Sequence, residues 1–391
     1  MSTTQPLSEL STHETPLQRV TLGVIACFLL ALSICLLAFV TTNNVVANHD
    51  YVSYWAAGRQ LLHKANPYAA QEIFAIERSV GWRAPVVMIM RNPPWGLFLT
   101  LPLGVLGLRG GYLFWLLLIL GAWFGSVRML WIMNGRSDNS VHLIAFAFAP
   151  AIACFVLGQT SIFVLFGLTS FLYFHQTKPY LAGAALALCA LKPHLFLPFW
   201  VALFAWAITR KAYELAATAA STLVVCAAIP MVFDHSIYSQ YSMMARSSGV
   251  KTELIPTLSE FLRIVVAPNS LWLQFLPAFA GCIWASWYFQ RHSREWDWYR
   301  DGSLVILIAF VVAPYAWYFD AAVVLPSLLY AAYRARPRAL AVLLLLLISA
   351  AVQILLTKKP SSAWNLWPGV AWPVWFIYSM RNARASVQLA K

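Results

Sequence analysis

Long apolar runs separated by short polar joints dominate this chain. They fall near 20–41, 94–108, 111–133, 141–157, 160–175, 180–191, 194–209, 213–232, 271–289, 302–314, 317–333, 339–356 and 364–380. The runs are continuous and do not alternate polar with apolar residues, so they predict helices and not the period-two strands of a membrane barrel. Their number and length predict an all-α, polytopic transmembrane protein of about 12 spans. Several runs are short and only two or three residues apart. These predict broken or tilted helices whose freed backbone groups are satisfied by neighbouring helices. The run 20–41 is too long for the apolar core of a signal peptide and lacks a basic leader, so it reads as an uncleaved anchor. A polar, disordered cytoplasmic tail over 1–18, one membrane domain over 19–381 and a cytoplasmic tail over 382–391 complete the expected plan.

Two polar stretches interrupt this pattern, 42–93 and 233–270. In the first, Tyr51, Tyr54, Trp55, Gly58, Leu61 and Leu62 share one face at helical spacing, with Ser53, Gln60, His63 and Lys64 on the other. That division predicts a helix lying in the membrane interface with its aromatics at headgroup depth. Asn66-Pro67 ends it. A second interfacial piece is expected from Gln71 to Arg78, with Ile73, Phe74 and Ile76 on its apolar side.

Lysine and arginine set the expected orientation. Placing Arg128/Arg136, Lys178, Arg210/Lys211, Arg291/Arg294/Arg300, Arg334/Arg336/Arg338 and Arg381/Arg384/Lys391 in the cytoplasm obeys the positive-inside rule. The turns at Gly158-Gln159, Lys192-Pro193-His194 and Pro314 then face outward, as do both polar loops. Parity favours one of the two runs between 94 and 133 being re-entrant or interfacial; the alternative is two full crossings with a later violation of the rule.

Composition sharpens the class. The chain is 61% hydrophobic and 10% charged, against roughly a quarter charged in a soluble domain. Its formal net charge of +13 comes from residues scattered between apolar runs. They form no stripe, so no nucleic-acid partner is expected, and membrane lipids are. The six cysteines lie inside apolar runs without CxxC spacing and read as small buried hydrophobes. No HxH or HExxH pattern occurs, so no metal ligand set is expected. The absence of a Walker A loop, a GxSxG elbow and a dinucleotide fingerprint removes support for ATP-driven transport and serine hydrolysis, and no cofactor is expected.

Few ionisable groups touch the apolar runs, and charges at membrane depth are costly and usually functional. Asp50 stands just beyond the first run and Asp320 within the run 317–333. Lys192 separates two short apolar segments, and Arg91 precedes Asn92-Pro93-Pro94. Asp50 reads either as the N-cap of the helix that follows it or as a general base. Lys192 reads either as a snorkelling cation or as a phosphate ligand, with His194 and Gln159 adding donors. Asp320 reads as a partner for a basic neighbour, for Tyr315 or Tyr318, or as a substrate-lining acid.

Five short motifs, in order, carry a resemblance. His49-Asp50-Tyr51-Val52-Ser53-Tyr54-Trp55-Ala56-Ala57-Gly58-Arg59 with Asn66-Pro67-Tyr68, then Asn92-Pro93-Pro94-Trp95-Gly96-Leu97, Leu157-Gly158-Gln159-Thr160-Ser161, Gly183 through Leu191-Lys192-Pro193-His194, and Ala313-Pro314-Tyr315-Ala316-Trp317 resemble the GT87 family of membrane glycosyltransferases, in the GT-C superfamily. The resemblance implies a GT-C type fold and inverting transfer of a hexose (mannose first) or a pentose. The donor would be a polyprenyl-phosphate sugar and the acceptor a glycolipid or glycan. The reaction would take place on the outer, periplasmic face of a bacterial inner membrane. It implies Asp50 as catalytic base. Lys192, Gln159, Arg91 and His194 are then the candidates for the donor phosphate, and Tyr54, Trp317, Tyr318 and Asp320 for contacting substrate. Relatives often carry histidine after the tryptophan of the late turn; Tyr318, Phe319 and Asp320 stand there in this chain, so that histidine's role is not carried over. Competing readings are a transporter or lipid-carrier flippase, against which the lack of a paired repeat counts, and an O-antigen ligase or polymerase, whose long late loop with Arg and His is poorly matched by 233–270.

Overall fold

The computed structural model of the protein describes residues 42, 46–137, 139–247, 257–356 and 366–389, with side chains up to 381. The expected first span over 20–41 and the tail over 1–18 lie outside them. Among the described residues, every regular element is helical. In chain order these are α1 (Tyr51–Leu62), α2 (Ala70–Ser79), α3 (Leu101–Val105), α4 (Leu108–Met133), α5 (Ala149–Leu157), α6 (Ser161–Phe174), α7 (Pro179–Cys189) and α8 (Leu197–Thr209). There follow α9 (Tyr213–Phe233), α10 (Ile237–Ser247), α11 (Leu258–Val266), α12 (Leu276–His292), α13 (Asp301–Val311), α14 (Leu325–Ala332), α15 (Pro337–Leu356) and α16 (Trp367–Leu389). Short 3₁₀ turns precede α3, α5, α8, α12 and α14.

The described residues do not confirm a count of about 12 spans. Among the described residues, α4, α9 and α15 are each long and apolar enough to cross a membrane, and up to five spans result if each bent pair counts as one. The bent pairs are Ser140–Ala147 with α5, at 49°, and α7 with Pro193–Thr209, at 120°. Breaks divide several of the apolar runs into shorter helices. Of the two runs between 94 and 133, only the second makes a long helix. The first is a 3₁₀ turn over Pro94–Leu99 and the five residues of α3.

The breaks are built by identifiable residues. Gly158 ends α5 at φ 73°, where a Cβ would be strained. The amides of Gly158 and Gln159 return to the carbonyls of Phe155 and Cys154, at 3.3 and 2.8 Å, a Schellman closure. Pro193 forces Lys192 out of helical geometry and produces the sharp reversal between α7 and α8. Pro314 separates α13 from the 3₁₀ turn Tyr318–Val324.

Each break frees carbonyls in an apolar surrounding, where an unpaired one is costly. Polar side chains from other elements meet them. Trp115 Nε1 of α4 donates to Gly158 O at 2.7 Å. Trp95 Nε1 donates to Ala190 O at 2.8 Å and Asn92 Nδ2 to Leu191 O at 3.1 Å. Gln274 Nε2 donates to Pro314 O at 2.7 Å and Ser259 Oγ to Val312 O at 3.0 Å. That last service inverts α11: Ser259, Glu260 and Arg263 are buried while Leu258, Phe261, Val265 and Val266 are exposed.

The aromatic face of residues 51–62 packs against protein and does not face headgroups. In α1, Tyr51, Tyr54 and Trp55 are all buried, together with Ala56, Ala57 and Gly58. The small residues let α1 and α3 touch backbone to backbone: a Cβ at Gly58 would lie 2.0 Å from Thr100 O, and one at Gly104 2.5 Å from the Gly58 carbonyl carbon. The polar tips of the aromatics meet internal carbonyls, Tyr51 OH to Leu108 O and Trp55 Nε1 to Leu106 O, both at 3.2 Å. Helix α2 turns Ile73 and Glu77 inward. Glu77 Oε2 accepts from Met88 N at 3.1 Å, and its other oxygen is buried with no partner among the described residues.

Burial pushes the Glu77 carboxyl up to about 7. Between its ordinary value and 7 the folded protein holds the proton more tightly than the unfolded chain, so stability falls as pH rises through that window. The neutral isostere Glu77→Gln is expected to raise the thermal unfolding midpoint at pH 8 and leave it unchanged at pH 5. An equal or lower midpoint at pH 8 would contradict this placement of the carboxyl.

Candidate functional site

The three breaks and the start of α1 converge on one polar cluster. Gln159, at the α5–α6 turn, donates from Nε2 to Asp50 Oδ2. Its carbonyl oxygen accepts from Tyr54 OH at 3.1 Å. Two residues on, Ser161 Oγ donates to Asp320 Oδ1 at 2.5 Å. Lys192 Nζ donates to the same carboxylate oxygen at 2.6 Å and to Ser161 Oγ at 2.9 Å. The second oxygen of Asp320 accepts from Trp317 N at 2.9 Å. Lys192 Nζ also lies 5.0 Å from the ring centre of Phe319.

The two carboxylates therefore differ in what they leave open. Asp50 does not cap α1 with its side chain. One of its oxygens is held by Gln159, and the other accepts no hydrogen bond from the described residues. Both oxygens of Asp320 are occupied by the protein. Burial raises the Asp50 carboxyl above the ordinary carboxylate range, while the Gln159 bond and the field of Lys192 pull the other way. Asp50 thus combines raised basicity with one unclaimed oxygen, the two properties a general base needs.

The remaining sequence candidates fall at different distances from this cluster. His194 stacks on Tyr315, with centroids 3.8 Å apart and planes at 23°. Arg91 is exposed and lies within electrostatic reach of Tyr315. Tyr318 lies within the field of Asp50. Trp317 and Tyr318 also line an apolar cavity of about 210 Å³, with Leu258, Phe261, Gln353 and Trp372 among its walls. Tyr54 is buried and its hydroxyl is spent on Gln159, so it sits behind the carboxylate as support. Gln159 bridges Tyr54 and Asp50, so its side-chain amide is engaged by the carboxylate.

Ser161 and Trp115 were not candidates in the sequence. Ser161 follows the Gly-Gln turn as the first residue of α6, and that position was its one signal. Trp115, in the middle of a uniformly apolar run, gives none. Among the described residues no three His, Cys, Asp or Glu side chains group as metal ligands.

The Lys192–Asp320 pair is deeply placed, with side-chain exposures of 11% and 2%. Removing one member of such a pair leaves an uncompensated charge and costs about 3–5 kcal/mol. Lys192→Met is expected to lower the thermal midpoint sharply, and Lys192→Met/Asp320→Leu to regain most of the loss. A double variant no more stable than the single one would contradict the pairing.

The model of glycosyltransferase family 87 matches residues 91–357. The matched region includes Arg91, Gln159, Ser161, Lys192, His194 and the late turn through Asp320; Asp50 and Tyr54 precede it. No curated protein and no solved structure matches the chain significantly.

Proposed function

The chain belongs to glycosyltransferase family 87, and we propose that it transfers one sugar, with inversion, from a polyprenyl-phosphate donor to a glycolipid or glycan. The transferred sugar is a hexose, mannose first, or a pentose. The proposed place is the outer leaflet of a bacterial cytoplasmic membrane, with the site open to the periplasm. One observation carries this reading: a carboxylate with an unclaimed oxygen, Asp50, shares a polar cluster with a lysine ammonium, Lys192.

The acceptor hydroxyl gives its proton to the free oxygen of Asp50 as the hydroxyl oxygen attacks the anomeric carbon. The bond from that carbon to the phosphate oxygen breaks, and its electron pair leaves with the polyprenyl phosphate. Lys192 faces the charge that grows on this oxygen. A charge-assisted hydrogen bond in a poorly hydrated site is stronger there than in water. Gln159, held by Tyr54, keeps the carboxylate turned toward the acceptor. His194, stacked on Tyr315, and Arg91, within electrostatic reach of the same ring, would contact the donor phosphate. Trp317 and Tyr318 supply apolar and aromatic surface for the substrates. No step requires a cofactor.

Base assistance of this kind contributes about 10²–10⁴ in rate. Asp50→Asn is expected to lower turnover by that factor in purified protein supplied with polyprenyl-phosphate sugars and membrane lipid extract, with unchanged folding. Full activity of that variant would end the assignment.

The raised Asp50 carboxyl predicts a pH effect of definite sign. A base is active when deprotonated, so kcat/KM is expected to fall with decreasing pH along a limb lying above the ordinary carboxylate range. A pH–rate profile whose acid limb is the same in wild type and in the residual activity of Asp50→Asn would remove Asp50 from that role.

A further inference from the structure

The geometry points to Asp320 as a counter-ion that shares Lys192 with the donor's phosphate and thereby limits how tightly the site holds an anion. The inference rests on the reading of Lys192 as the phosphate ligand. An ammonium has three N–H groups. Lys192 spends one on Asp320 Oδ1 at 2.6 Å and one on Ser161 Oγ at 2.9 Å. One remains for a ligand. The carboxylate is itself fixed, by Ser161 on the shared oxygen and by the Trp317 amide on the other, so it stays beside the ammonium when substrate arrives.

A fixed carboxylate at contact distance cancels much of the cation's field at the next anion along. The charges around Lys192 are few: Asp320 from the late turn and Asp50 from the start of α1. The other titratable groups there are Cys154 on α5, Tyr54 on α1, His194 beside Lys192 itself and Tyr315 and Tyr318 in the late turn. Arg91 acts on Tyr315. With both carboxylates ionised, the cluster of Asp50, Lys192 and Asp320 carries one net negative charge. Transfer leaves the acceptor's proton on Asp50, so the doubly charged monoester that the reaction releases faces a balanced Lys192–Asp320 pair and no net positive charge to hold it. Asp320 makes no contact with substrate. It acts through Lys192, and its effect is to favour departure of the product.

This role has a signature opposite to that of a structural prop. Removing a prop weakens binding; removing a competing counter-ion strengthens it. The test is equilibrium binding of farnesyl phosphate to the purified full chain in lipid nanodiscs, with farnesol as the phosphate-free control. Asp320→Asn is expected to tighten farnesyl phosphate binding by about tenfold or more and leave farnesol binding unchanged. Asp320→Thr, a second neutral variant, gives the same gain, and Asp320→Glu gives none. Combined with Lys192→Gln, the gain disappears. In turnover, Asp320→Asn lowers donor KM and kcat together, the pattern of a released product held too long. Unchanged or weaker binding in both neutral variants, where Lys192→Gln alone does weaken it, overturns the role of Asp320 and leaves Lys192 as the ligand. Binding insensitive to Lys192→Gln removes the phosphate reading of Lys192 and this inference with it.

Discussion

Helix breaks inside an apolar bundle have to be paid for with polar side chains, and that constraint organises this protein. Every break exposes carbonyls that neither lipid nor an aliphatic core can satisfy. Trp115, Trp95, Asn92, Gln274 and Ser259 reach from other elements to meet them. Because those donors are fixed to packed helices, they fix the breaks relative to one another. Gln159, Lys192 and Asp320 each sit at such a break and are brought together for that reason. A continuous helix through any of the three positions would bury its side chain in lipid or in the core.

The electrostatics follow from occupancy. One ammonium and two carboxylates share a small, poorly hydrated volume. The protein distinguishes the two acids by hydrogen bonding: Asp320 has both oxygens committed, and Asp50 has one committed to a carboxamide that Tyr54 holds in turn. The same residue type thus serves as counter-ion at one break and as candidate base at the start of α1. The Asp50 half of this arrangement lies outside the region matched by the family model, 91–357, and the cationic half inside it. The bond between Asp50 and Gln159 joins them.

Much of this was legible in the residue pattern. The apolar runs 111–133, 213–232 and 339–356 became α4, α9 and α15 with ends shifted by a few residues. The Gly-Gln, Lys-Pro and Pro314 positions were readable as breaks because glycine and proline act on the backbone locally. Span number was not readable, since apolar content does not report where a run bends by 120°. The partner of the aromatic face of α1 was not readable for a related reason. Its aromatic face has the spacing of an interfacial helix, yet Gly58 and Gly104 permit a backbone contact with α3 that buries it. Close approach depends on two glycines 46 positions apart in sequence meeting in space, which periodicity within one helix cannot reveal. Lys192 and Asp320 were each singled out as costly charges; their mutual pairing, through Ser161, depends on three separate segments.

The most direct measurement is a structure of the protein in lipid with a non-hydrolysable polyprenyl-phosphate sugar bound. The phosphate is expected within hydrogen-bonding distance of Lys192 Nζ, with the anomeric carbon between it and the unbonded oxygen of Asp50. A phosphate bound elsewhere, or a sugar whose anomeric carbon faces away from Asp50, would contradict a site built from these two residues.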